Sequence, residues 1–173
     1  VRVKLGSNYI NVTGRSRGLQ RRPGSIERLN ATRGQYKKEG RQVSQDSFFV
    51  WEDDAVTEQN CAGYAVGSNL WIDTDSLAQE LSRLRREGLA DYYSDPRDAQ
   101  QNDLVIYRPS WKGTDMQDFL HIGRVRGKTS NGVPIVSDKL GPIPGHALHT
   151  VEALDSGPYK DAHATEIIYV RPR

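Results

Sequence analysis

The sequence predicts an α+β domain with N-terminal helices packed on a small antiparallel sheet, and three observations predict it. Leu77, Leu81 and Leu84 recur at i, i+4 and i+7 between Asp73 and Glu87, the spacing of one helix face. After Asp103 the pattern changes to short apolar runs, Leu104–Tyr107, Ile122–Val125 and Val133–Val136. Between the last two stands Asn131-Gly132, a strong hairpin signal because both residue types tolerate positive φ. Helices first and hairpin-linked strands afterwards is the α+β order. A chain of 173 residues has room for one core without covalent staples.

Residues 1 to 24 are rich in Gly, Ser, Asn and Arg and read as loop, with one short strand near Tyr9–Val12. Ser25 is placed to cap a helix from Ile26 to Glu39, ended by Gly40. The aromatic, β-branched run Ser47–Trp51 reads as strand, and Glu52-Asp53-Asp54 as an acidic turn. Cys61-Ala-Gly-Tyr-Ala-Val66 can open a helix after Asn60, and Gly88 stops the Asp73–Glu87 helix. Asp103–Arg108 reads as a buried strand, 109 to 118 as loop, Phe119–Arg126 as a second strand, and Val133–Asp138 as its hairpin mate. Gly141, Pro142, Pro144 and Gly145 mark a linker. A short helix or loop is expected over His146–Leu154, and a terminal strand over Ile167–Val170.

Net charge is only +2, but it is split. Residues 1 to 41 hold eleven Lys and Arg against two acids, hence +9; the remainder holds 13 against 20, hence −7. The expected division is a basic N-terminal arm with one helix over 1–45 and a catalytic domain over 46–173. The arm suits phosphates, an acidic protein partner, the acidic body of its own domain, or solvent. Only Tyr9 and Tyr36 are there to stack on bases, so nucleic acid ranks below the other readings. No apolar run approaches the roughly 20 residues of a membrane span, and the N-terminus has no signal-peptide core. Because the chain begins at Val1, it is expected to be a processed product or a piece of something larger. A single cysteine, Cys61, rules out an internal disulfide and a four-cysteine zinc site.

That cysteine is also the most informative residue. Its thiolate is the reactive form, and a helix start favours negative charge. A thiolate nucleophile needs an imidazole partner, and the imidazole needs an orienting group. His121 opens the strand His-Ile-Gly-Arg-Val. If the hairpin loop is 128–131, Gly127 pairs with Gly132 and His121 faces Asp138, whose carboxylate can hold the ring. A two-residue turn at Asn131-Gly132 puts Pro142 opposite His121 instead, and Ser137 is then the fallback. Asn60 and Gln59 are candidates to donate to an oxyanion beside the Cys61 backbone N–H, and Asn60 can equally be a helix cap. Trp111 can wall a substrate groove or simply pack; Trp51 and Trp71 read as core.

The order helix-borne Cys61, strand Asp103-Leu-Val-Ile-Tyr107, then His121-Ile-Gly123 resembles the papain-like cysteine peptidases. It is most similar to the circularly permuted branch of the NlpC/P60 and CHAP amidases. Those families carry a Cys opening a helix, a strand of the type G-D-L-V-x-Y/F, a His starting H-x-G, and a polar residue on the next strand. The resemblance covers about 60 to 140. It implies a papain-like (NlpC/P60-like) fold, Cys61 as nucleophile, His121 as base and Asp138 as third member. Asn102 stands where the family has Gly, and Asp138 where it often has His.

The implied activity is a cysteine peptidase or amidase that needs no metal or organic cofactor. Family analogy suggests a toxin or effector domain of a bacterial polymorphic toxin, secreted or delivered into a recipient cell. It would cleave a target protein there and be met by an immunity or inhibitor protein. A peptidoglycan amidase or endopeptidase, a deamidase or transglutaminase, and a non-catalytic nucleic-acid- or protein-binding module with an inert cysteine are the alternatives. His146 and His149 would share a helix face and, with Glu152 or Asp161, could hold a metal, but no His-Glu-x-x-His pattern supports this. His163 reads as surface.

Overall fold

The computed structural model describes residues 1–16, 31, 41–44, 46–52, 59–108, 121–139, 145–152 and 166–173. The architecture is mostly β. In chain order the strands are β1 (Arg2–Leu5), β2 (Asn8–Asn11), β3 (Gly14–Arg15), β4 (Arg41–Ser44) and β5 (Ser47–Glu52). They continue with β6 (Trp71–Ile72), β7 (Ala90–Tyr93), β8 (Leu104–Arg108), β9 (His121–Lys128), β10 (Pro134–Asp138), β11 (His146–Thr150) and β12 (Glu166–Pro172). Among the described residues the α-helices given bounds are α1 (Cys61–Val66) and α2 (Thr74–Arg86). Eight strands form one antiparallel sheet in the order β4-β5-β11-β10-β9-β8-β12-β7; β1 pairs with β2, and β3 with β6. Among the described residues no helix is long and apolar enough to cross a membrane.

This corrects the α+β, papain-like layout with N-terminal helices. The described N-terminal residues are strands. Val3, Leu5, Ile10 and Val12 are buried at alternate positions, a period-2 pattern too short to stand out among the Gly and Asn around it. Gly6 turns the β1–β2 hairpin at φ +60°, where a Cβ would meet the Arg173 carbonyl oxygen at 2.7 Å. His146–Thr150 is a strand rather than a helix, and Ala90–Tyr93 is a strand that the sequence reading passed over. The expected Ile26–Glu39 helix lies outside the described residues except for Ala31, which is helical; Asp53, Asp54, Trp111, Asp161 and His163 also lie outside them.

The α2 helix forms as its periodicity predicts. Asp73 accepts from Ser76 N (2.9 Å) as N-cap, and Gly88 follows in the left-handed conformation at φ +69°. Its buried stripe, Leu77, Leu81 and Leu84, packs with Ala62, Ala65 and Val66 of α1, Ile10 of β2, and Leu104, Ile106, Ile122 and Val170 of the sheet. Each fully buried leucine contributes about 1.5–3 kcal/mol. The opposite face of the sheet carries a second cluster of Phe49, Val105, Tyr107, Val125, Val136, Ala147 and Tyr169. Asp103, nearly fully buried, accepts from Arg171 Nε (2.9 Å) and NH2 (2.8 Å) and from Gln100 N (2.8 Å). The acid of the Asp-Leu-Val motif therefore fastens β8 to β12 with a two-point, charge-assisted pair.

Candidate functional site

Asn60 sets the start of α1. Its Oδ1 accepts from Gly63 N (2.9 Å) and Ile72 N (3.1 Å), while Nδ2 donates to Ile72 O (2.7 Å). One buried amide thus caps the helix and clamps β6 beside it. Gln59 Nε2 donates to Ser68 O (2.9 Å). Both side chains serve residues 63 to 72. The backbone N–H groups of Cys61 and Ala62 are first-turn amides with no acceptor carbonyl inside the helix. Gly63 allows the tight return: a Cβ there would lie 2.1 Å from Leu70 O. Cys61 is a free, half-buried thiol at the first helical position, and α1 packs on β9.

The β9–β10 hairpin closes at Lys128–Pro134 around a five-residue loop, not at either of the tighter turns expected. Thr129 N donates to Val133 O and Gly132 N to Thr129 O. A regular ladder from that pair would set Asp138 opposite Arg124, on the face away from His121. A bulge intervenes. Ile135 pairs with Gly127 but Val136 with Val125, leaving Arg126 as the extra residue. Ser137 then faces Arg124, and Asp138 comes opposite Gly123. His121 and Asp138 thereby share a face as diagonal neighbours rather than as a direct pair. Gly123 makes the diagonal possible, because a Cβ there would stand 3.0 Å from Asp138 Cβ and 2.7 Å from Val136 Cγ1.

Across that diagonal His121 Nε2 donates to Asp138 Oδ2 at 2.8 Å, with both residues buried. Burial alone disfavours the charged ring. The Asp138 carboxylate, and hydrogen bonding and charge from Cys61, outweigh it and push the His121 pKa up to about 10. Burial likewise disfavours the Asp138 carboxylate, yet the charges of His149 and His121 and their hydrogen bonds hold it well below the usual carboxylate range. Tyr107, opposite His121 on β8, tilts over the imidazole with centroids 5.7 Å apart.

His121 and Asp138 are hydrogen-bonded, and Cys61 is near enough to His121 to help raise its pKa. Ser137 is not part of that group: it points to the other face, where its hydroxyl hydrogen-bonds Tyr64. His146 and His149 do not share a face, because three residues on a strand separate rather than align side chains. His146 Nε2 bonds Glu52 Oε2 (2.8 Å) and its ring stacks on Tyr64 (5.3 Å). His149 Nε2 reaches Asp138 Oδ2 (2.7 Å), a contact the sequence reading missed. Alternation through His-Ala-Leu-His-Thr was the available signal, with Ala147 and His149 on the Val136 face. Among the described residues no group of three or more His, Cys, Asp or Glu is arranged to hold a metal ion. Comparison with protein families, curated proteins and solved structures finds no match to this chain.

Proposed function

We propose that this protein is a cysteine hydrolase that cleaves an amide bond. One observation carries the reading: a buried imidazole, held by a buried carboxylate, interacts with the chain's single thiol at the start of a helix. At neutral pH His121 is an imidazolium, the partner that a thiolate nucleophile needs. The Cys61 thiolate attacks the carbonyl carbon, and the Cys61 backbone N–H stabilises the oxyanion. His121 Nε2 is engaged by Asp138, so Nδ1 is the nitrogen that serves the thiol and the leaving group. It gives its proton to the departing amine. It then takes one from water, which attacks the thioester and releases the carboxylic acid and the Cys61 thiolate beside the imidazolium. The likeness to NlpC/P60 and CHAP amidases extends to this chemistry and to the H-x-G spacing, for which the Asp138–Gly123 approach gives a physical reason.

The proposed substrate is a protein amide, with an immunity or inhibitor protein as partner. The +9 and −7 division of charge supports a protein-facing surface. The deciding experiment is iodoacetamide alkylation of Cys61 between pH 5.5 and 9, in the wild type and in His121→Ala. The wild type should react at pH 6 at least tenfold faster than the variant. Equal rates would remove the hydrolase reading. With the pair established, cleavage assays on cytosolic proteins and on peptidoglycan stem peptides, with ammonia release as the sign of deamidation, separate the substrate classes.

A further inference from the structure

We propose that His149 is a positioning residue of this same site, the side chain that fixes the Asp138 carboxylate against His121. The inference rests on the hydrolase reading above. Among the described residues, the hydrogen bonds of the Asp138 side chain converge on Oδ2, one from His121 (2.8 Å) and one from His149 (2.7 Å). Its other oxygen, Oδ1, is buried with no hydrogen-bond partner among the described residues. With His149 removed, a single bond would hold a carboxylate that can rotate about its terminal torsion. The orienting group of His121 would then be loose.

His149 is built to resist that rotation. Its Nδ1–H donates to Thr150 O (2.8 Å), and its ring stacks on Phe49 with centroids 5.9 Å apart and planes 22° apart. A carbonyl oxygen only accepts, so Nδ1 donates in that bond, while Nε2 faces Asp138 Oδ2 at 2.7 Å. Ala147 and Gly123 flank Asp138 on the two neighbouring strands, and the absence of a side chain at Gly123 is what admits Asp138 Cβ and Val136 there.

Two near-isosteric substitutions separate the two ends of the imidazole. His149→Gln keeps an N–H donor at the position that reaches Asp138; His149→Asn keeps one only toward Thr150 O. The readout is the rate of Cys61 alkylation by iodoacetamide at pH 6, with near-UV circular dichroism and thermal melts confirming the fold of each variant. His149→Gln should stay within about threefold of wild type, whereas His149→Asn and His149→Leu fall at least tenfold. If His149→Leu does not fold, the Gln–Asn pair decides. Folded Asn and Gln variants with equal rates, fast or slow, would overturn the positioning role. His121→Ala, run alongside, keeps the two readings apart. A slow His121→Ala with a fast His149→Asn sinks only this inference, while a fast His121→Ala sinks the hydrolase itself.

Discussion

The two faces of the main sheet solve burial differently. The face under α1 and α2 is filled by leucine, isoleucine, valine and alanine, contributed by both helices and the β1–β2 hairpin. The opposite face mixes Phe49, Tyr107 and Tyr169 with the buried row His121, Asp138 and His149. Aliphatic packing gains from area and loses gradually when atoms are removed. A buried ionic row is held by partners and fails sharply when one partner goes, because the remaining charge has no solvent. The first face stabilises the domain and carries Cys61 at the start of α1; the second spends part of its burial on groups with perturbed ionisation, the pattern of a working site.

The largest expected effect comes from breaking the ionic row. Asp138→Ala should destabilise by about 3–5 kcal/mol and abolish the rapid alkylation of Cys61 at pH 6, by urea unfolding and thiol kinetics. On the other face Leu81→Ala should cost about 2–5 kcal/mol while leaving folded-state alkylation near wild type. Gly123→Ala should cost about 1–3 kcal/mol and slow alkylation as well, because the added methyl pushes directly on Asp138.

The pH dependence of stability should show the row from both sides. The folded His121 pKa, about 10, lies above its unfolded value, so its contribution is complete below about pH 6.5 and is lost as pH rises toward 10. Asp138 is shifted down, so its contribution is present above its ordinary pKa and is lost on acidification. Urea midpoints measured from pH 3 to 10 should therefore fall at both ends, and His121→Phe should flatten the alkaline limb. The smallest effect is expected at the exposed Arg97–Asp95 pair, where Arg97→Ala should move neither the urea midpoint nor the alkylation rate.

Much of the candidate site was legible because the proposed chemistry demands particular residues. One cysteine before small residues, a histidine opening a strand and an acid on the hairpin mate narrowed the choice to Cys61, His121 and Asp138. The α2 helix and strands β5, β8 and β12 were legible from period and composition. Of the N-terminal strands only β2 was legible, as the short strand near Tyr9–Val12; β1 and β3 were not, since two to four residues give too few repeats of a period-2 pattern. The spacing of His146 and His149 fits one helix face, and only the β10–β11 and β11–β5 pairings make it a strand that separates them. Register was the hardest feature. Turn chemistry around Asn131-Gly132 does not encode a bulge several residues away.

That bulge has a consequence for how the hairpin can change length. Arg126 is exposed and is the one residue of β9 between paired neighbours that has no counterpart on β10. Deleting it would join Val125 to Gly127 in a regular ladder and keep Asp138 opposite Gly123. Deleting Arg124, two positions away, would turn His121 to the helix-covered face and separate it from Asp138. The strand thus has one position where a codon can be lost without dismantling the site, beside others where the same loss would be fatal to it.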